Sequence, residues 1–238
     1  VLKTIRYALH EDSLTVTGKT LHELLQDVEV HPDDVLKTLD HPQKPEGGIA
    51  VLHGNLAPKG AVVKQSGVNK KMYHFRGRAR CFSSMEEADA AISGDMIEKG
   101  TVIVIRYEGP KGGPGMREML STTSLIMGRK MDLDVALVTD GRFSGATHGP
   151  CIGHVSPEAV NGGPIAFVQD GDWIEIDIPN RTLTLEVSDE ELARRKENWK
   201  PLIKPRLPAL AKYAALVGSS DTGAVVDIEN LKYSKPTF

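Results

Sequence analysis

After about residue 47 the chain alternates short apolar runs with turns rich in glycine and proline. The runs are GIAVLHG, GAVVKQS, YHFRGRARCF, TVIVIRY, VALVTD, PIAFVQ, WIEIDI and TLTLEV. Runs of about four to eight apolar and β-branched residues between turn formers predict strands, here about eight. The segment DWIEIDIPNRTLTLEV alternates with period two around Pro179-Asn180-Arg181, which predicts a β-hairpin. Helices are read from their caps. Ser84 with Glu87 three residues on, and Gly94 as terminator, frames one helix; Ser188 with Glu191 starts another. Ser156 followed by Pro157 reads as an N-cap with proline in the first turn. LPALAKYAALVG reads as a last helix ending at Gly218. Many strands with helices only at intervals predict a mixed α/β fold, a β-barrel-like domain with flanking helices and not a doubly wound sheet.

Residues 1–46 carry a different pattern. Thr17 or Gly18 precedes KTLHELLQDV, where Leu21, Leu24, Leu25 and Val28 share a helical face. HPQKPEGG, His41 to Gly48, holds two prolines and two glycines and is the best linker candidate. The expected organisation is a helical segment at 1–46, left from a preceding domain or linker, and a barrel-like domain at 47–238.

Composition narrows the function. With 238 residues and a net charge of −3, the chain has no basic run to suit nucleic acid or a membrane surface. No stretch approaches the roughly 18 consecutive apolar residues of a membrane span. The two cysteines, Cys81 and Cys151, form no CxxC pair and no zinc spacing, so they read as small buried hydrophobes. Without a disulfide framework a reducing compartment is expected. The opening VLKTIRYALH has no initiator Met and resembles neither a signal nor a transit peptide, so it reads as the middle of a longer protein.

Two glycine-rich loops follow apolar runs and are the places to look for chemistry. In VIVIRYEGPKGGPGMREML, Glu108 is followed by four glycines and two prolines, with a helix expected from near Met116. In VALVTDGRFSGATHG, Ser144 lies among Gly141, Gly145 and Gly149. Glycine lets backbone approach a ligand closely. The order Gly141-Arg142-Phe143-Ser144-Gly145 misses the G-x-S-x-G nucleophile elbow by one position, and neither loop supplies the Gly-Lys-Ser/Thr of a phosphate loop. Spacing alone leaves Ser144 as a turn serine or a pocket hydroxyl, and Glu108 as a solvated carboxylate or a pocket acid. His148 either lines the pocket or caps a turn, His154 reads as a packed histidine, and Arg142 as a donor to loop carbonyls.

Longer motifs add a resemblance. LTVTGKTL, HGNLAPKGAVVK, YEGPKGGPGMREML, TDGRFSGATHG, IGHVSPEA and GGPIAFVQDGD, in this order along most of the chain, resemble the dehydratase family of dihydroxy-acid, 6-phosphogluconate and sugar-acid dehydratases. SGATHGPCIGHVSPEA is similar to the dihydroxy-acid members. The resemblance is to the C-terminal part of these enzymes, with a swivelling barrel. It implies removal of water from 2,3-dihydroxy-3-methyl carboxylic acids to give 2-keto acids, in branched-chain amino acid synthesis. It implies Ser144 as general base, Glu108 as a magnesium ligand, and Ser144, Gly145 and Ala146 around the substrate. An iron–sulfur cluster and Mg²⁺ are the implied cofactors, with the cluster's cysteines in the family's N-terminal domain. That domain and a second copy in a homodimer are the implied partners, and the chain alone is expected to be inactive. The implied compartment is cytoplasm in bacteria, mitochondrion or plastid in eukaryotes. A serine is a poor base in water, so the assignment demands neighbouring cations or donors that favour its alkoxide.

Overall fold

The computed structural model describes every residue except Pro32, Asp34, Pro205 and 228–238, so the end of the expected 47–238 domain lies outside the described residues. The chain divides into two compact units, Val1–Gly47 and Gly48–Phe238.

The first unit has a 3-10 turn at Leu2–Ala8 and one short helix, α1 (Leu21–Leu25). Its cap is Thr20, not Thr17 or Gly18. Thr20 accepts the Glu23 N–H at 3.2 Å, and the Glu23 carboxylate accepts the Thr20 N–H at 2.7 Å. Five residues make little more than one turn, too few to build the expected apolar stripe. Leu25 is buried, whereas Leu24 and Val28 are exposed.

The second unit is an eight-stranded sheet: β1 (Ala50–Leu52), β2 (Ala61–Val63), β3 (His74–Phe82), β4 (Thr101–Ile105), β5 (Ala136–Thr139), β6 (Cys151–Gly153), β7 (Trp173–Asp177) and β8 (Thr182–Leu185). The spatial order is β1-β2-β6-β5-β4-β3-β7-β8. The four central strands β3, β4, β5 and β6 run parallel, and antiparallel pairs flank them. The two ends of the order meet: His53, just past β1, bridges Thr182 of β8. The His53 N–H donates to the Arg181 carbonyl at 2.9 Å, and the Leu183 N–H to the His53 carbonyl at 2.8 Å. The sheet is thus a nearly closed barrel with flanking helices, the mixed α/β architecture that the pattern predicts.

β4 and β5 are apolar throughout because both faces are covered. Val102, Val104, Ala136 and Val138 point into the barrel, against Ile152, Ile174, Ile176 and Leu183. Ile103, Ile105 and Leu137 point outward, under α2 (Met85–Ser93) and α3 (Leu120–Gly128), against Ala88, Ile92 and Ile126. Each fully buried aliphatic side chain contributes roughly 1.5–3 kcal/mol. These two strands are therefore a firm base for the loops that leave their C-terminal ends.

Caps behave largely as read. Ser84 accepts the Glu87 N–H at 3.2 Å, although the Glu87 carboxylate reaches back to the N–H of Ser83, not of Ser84. Ser188 accepts the Glu191 N–H at 3.3 Å and opens α4 (Asp189–Glu197). Among the described residues the last helix is α5 (Pro208–Leu216). Four readings change. PIAFVQ is a 3-10 turn, Pro164–Phe167, whose Ile165, Ala166 and Phe167 are buried; proline after Gly163 starts a helical turn, and the apolar run marks burial without extended chain. The eighth strand is instead β6, a three-residue segment without an apolar run long enough to read. Ser156 caps nothing: it is fully buried before a cis Pro157, its hydroxyl bonded to Ser219 and Asp221. α3 begins at Leu120, not near Met116, because Met116 takes a left-handed φ of 60°.

Candidate active site

The two glycine-rich loops leave neighbouring parallel strands at the same end of the barrel, β4 for Glu108 and β5 for Ser144. They are stitched together. The Met119 N–H donates to the Arg142 carbonyl at 2.7 Å and the Arg142 N–H to the Arg117 carbonyl at 3.0 Å. The Arg142 side chain adds a bond from Nε to the Met116 carbonyl at 2.8 Å. Gly141 makes the close approach possible: a Cβ there would lie 2.8 Å from the Arg117 carbonyl.

Ser144 is half-buried, and the next two residues, Gly145 and Ala146, are exposed. Its hydroxyl oxygen accepts the Ala146 N–H at 3.0 Å, and its carbonyl accepts the Thr147 N–H at 3.1 Å. A donor aimed at the hydroxyl oxygen favours its anion. Phe143 anchors the loop by packing over Gly153, where a Cβ would sit 2.7 Å from the ring. From the other side the turn after β2 holds it. The Lys64 ammonium donates to the Gly145 carbonyl, and the Gly149 N–H donates to the Gly67 carbonyl at 3.0 Å. A cavity of ≈ 140 Å³ opens between this loop and α3, lined by Ser144, Ala146, Thr147 and His148 on one side and Leu120, Thr123, Ser124 and Met127 on the other.

Glu108 is fully buried, not a solvated carboxylate. Its Oε1 accepts the Lys204 ammonium at 2.9 Å, the Met85 N–H at 3.2 Å and the Arg117 guanidinium at 3.4 Å. Its Oε2 is buried and has no partner among the described residues. Gly113 leaves room for that oxygen: a Cβ there would lie 2.6 Å away. Ser144 and Glu108 share the stitched pair of loops, but no hydrogen bond joins them.

Two buried acids that the sequence reading passed over fix this end of the barrel. Asp140, fully buried, accepts the N–H groups of Glu108 at 2.9 Å, Tyr107 at 3.1 Å and Ala159 at 2.8 Å. Burial pushes its carboxyl up, against the pull of those three donors. Glu158 accepts the Lys111 N–H at 2.9 Å and the Gly112 N–H at 2.8 Å, so the glycine loop is wrapped on its carboxylate. Burial raises Glu158 from the ordinary 4.5 to about 7. Tyr107 holds a left-handed φ of 65°, rare for a bulky residue, and its hydroxyl accepts the Trp199 indole N–H at 3.1 Å. Asp140 and Glu158 each had a weak signal, an acid directly beside apolar or proline-bearing turns. Lys204, 96 residues from Glu108, had none.

His154 is partly buried beside Arg142, and burial first, then that cation, lowers its pKa. His148 is exposed at the cavity's rim. Cys81 and Cys151 are free thiols, both pushed up to about 12, chiefly by burial. Thiols held protonated and apart do not fit an iron–sulfur cluster, which needs clustered thiolates. Magnesium fits better. It takes hard oxygen donors, and Oε2 of Glu108 is a carboxylate oxygen that no described residue binds. It would be a single donor: among the described residues no group of three or more His, Cys, Asp or Glu is arranged to hold a metal.

Sequence comparison supplies the family. The family model described as "Dihydroxy-acid/6-phosphogluconate dehydratase C-terminal" matches residues 34–224, and the chain belongs to that family. Among curated proteins it is 56% identical over 220 residues to a dihydroxy-acid dehydratase of Geotalea daltonii, covering 92% of this chain and 40% of that one. It is 55% identical over 230 residues to one of Ignicoccus hospitalis, covering 95% and 42%. A third, from Pyrococcus furiosus, is 56% identical over 218 residues, covering 92% and 39%. The chain therefore spans about two fifths of the length of these relatives.

Proposed function

We propose that this domain carries the general base and one magnesium ligand of a dihydroxy-acid dehydratase. The supporting observation is the pairing of Ser144 and Glu108 on two loops fastened to each other at the C-terminal ends of β4 and β5. In this reading Ser144 removes the proton from C2 of a 2,3-dihydroxy-3-methyl carboxylate. The C3 hydroxyl departs as water, and the resulting enol tautomerises to the 2-keto acid. The Ala146 N–H keeps a donor on the Ser144 oxygen as the proton moves, and the Lys64 ammonium steadies the loop through the Gly145 carbonyl. Gly145 and Ala146 allow the substrate's close approach, and the cavity beside α3 receives its polar end. Glu108 would hold magnesium through Oε2, while Lys204 and Arg117 keep its other oxygen in place. Bound magnesium supplies Lewis acidity for the departing hydroxide. A cluster would draw its ligands from outside the described residues, as from the N-terminal domain of a complete enzyme, in which the active form is a homodimer. With that product class the enzyme would serve branched-chain amino acid synthesis.

The test is Ser144→Ala in the complete enzyme. Loss of a positioned base typically costs 10²–10⁴-fold in turnover. A turn serine would change little, because its loss leaves almost no cavity. A normal kcat, with an unchanged melting temperature, would return Ser144 to a turn role. Two other readings stay separable. A sugar-acid dehydratase would turn over gluconate in preference to 2,3-dihydroxyisovalerate, and a non-catalytic domain would tolerate Ser144→Ala and Glu108→Gln alike.

A further inference from the structure

The Ser144 loop buries a second hydroxyl that has nothing to bind. Thr147 is only 6% exposed, and its Oγ1 has no hydrogen-bond partner among the described residues. Unbonded buried hydroxyls are few in native proteins and call for a reason. The backbone around it is fixed. The Thr147 N–H is spent on the Ser144 carbonyl, and its own carbonyl is pressed on Gly67, where a Cβ would lie 2.6 Å away. A β-branched side chain on a fixed backbone has few rotamers, so the hydroxyl has little freedom to find another acceptor. Thr123, buried across the same cavity, shows the contrast: its hydroxyl donates to the Leu120 carbonyl at 3.1 Å.

Thr147 is also a wall residue of the site's cavity. Thr147 and Ser144 both line the ≈ 140 Å³ cavity. They are the first and last residues of one turn, closed by the bond from the Thr147 N–H to the Ser144 carbonyl. The ends of such a turn lie within about 7 Å. A small acid deprotonated by Ser144 would bring its carboxylate to this place. We propose that Thr147 donates a hydrogen bond to the substrate's carboxylate, next to the carbon that Ser144 deprotonates. It is then a second catalytic residue of this loop, an inference that rests on the base reading of Ser144. The carboxylate oxygens gain negative charge as the C2 proton leaves, so a donor fixed there binds the transition state better than the ground state.

Thr147→Val, Thr147→Ser and Ser144→Ala in the complete enzyme test it, each with kcat, KM and a thermal melt on 2,3-dihydroxyisovalerate. Valine keeps the shape and removes only an unbonded hydroxyl, so the melting temperature should hold or rise while kcat falls about 10²-fold. Serine restores the donor and should recover most of that loss. A Thr147→Val enzyme within twofold of the parent kcat would overturn the proposal. So would a fall in its melting temperature, which would mean that the hydroxyl already has a partner in the protein. A serine variant as slow as the valine one would also overturn it, since the methyl group would then be what matters. Ser144→Ala separates the two levels: an inactive Ser144→Ala beside a normal Thr147→Val removes Thr147 alone, whereas two normal variants remove the base reading itself.

Discussion

Replacing Asp140 probes the frame of the site while Ser144 and Glu108 keep their own side chains. Its carboxylate accepts three backbone N–H groups from two segments, at 2.8 to 3.1 Å, with no exposed surface. Asp140→Ala orphans all three donors, and each buried unsatisfied donor costs about 1–3 kcal/mol. Two effects offset part of that sum. The variant no longer buries a charge, and it relieves the repulsion with Glu108 that helps to raise the Asp140 pKa. The expected net loss is roughly 3–5 kcal/mol, a large share of the roughly 5–15 kcal/mol that holds a domain of this size together. Asp140→Asn keeps one acceptor oxygen but turns an NH₂ toward at least one N–H, so its loss should fall about midway. Urea unfolding of the 238-residue chain measures both. A loss below about 1 kcal/mol in both variants would refute the argument that these three bonds hold the loops. Equal losses in the two would refute its mechanism, because the buried charge and not the orphaned donors would then be in control.

Glu158 and Gly163 give two further predictions. Burial raises Glu158 in the folded state to about 7 from the ordinary 4.5, so the folded form binds the proton more tightly than the unfolded one. Its contribution is fully present below pH 4.5 and is lost as the pH rises through 7, on the order of 3 kcal/mol in all. Denaturant midpoints at pH 5 and 8 should show this decline in the parent and a smaller one in Glu158→Gln; identical declines would remove Glu158 as its source. Gly163→Ala would place a Cβ 1.7 Å from the Pro157 carbonyl oxygen, backbone that cannot rotate away. That variant should melt far below the parent or fail to accumulate as soluble protein, and a parent-like melt would show that the 157–163 turn can yield.

How far the sequence could be read depended on which residues face inside. β4 and β5 were legible because Val102–Ile105 and Ala136–Val138 are buried on both faces, which leaves uninterrupted apolar letters. The β7–β8 hairpin was legible because Ile174, Ile176, Leu183 and Leu185 alternate with outward residues. β6 could not be read: three residues between Pro150 and His154 carry no period, and they pair as a strand only because β5 and β2 lie on either side. Pro164–Phe167 was misread because burial alone does not separate a strand from a 3-10 turn. At the candidate site, glycines pointed to the loops of Glu108 and Ser144. What holds them did not show, since Lys204, Glu158 and Lys64 reach them from distant segments, and their contacts exist only after folding.

The meeting of His53 with Thr182 and Leu183 has a bearing on how this domain behaves among other molecules. An open sheet ends in two rows of unpaired amides, each a template on which a foreign strand can add. Here the first and last strands spend part of those rows on each other, through a seam only one bridge long. The seam is close because residue 54 is glycine, whose absent Cβ would otherwise lie 2.1 Å from the Leu183 carbonyl oxygen. Protection against edge-to-edge aggregation therefore hangs on one hydrogen atom in place of a methyl group. Any side chain at position 54 would part the two strands and offer their amides to a neighbouring molecule.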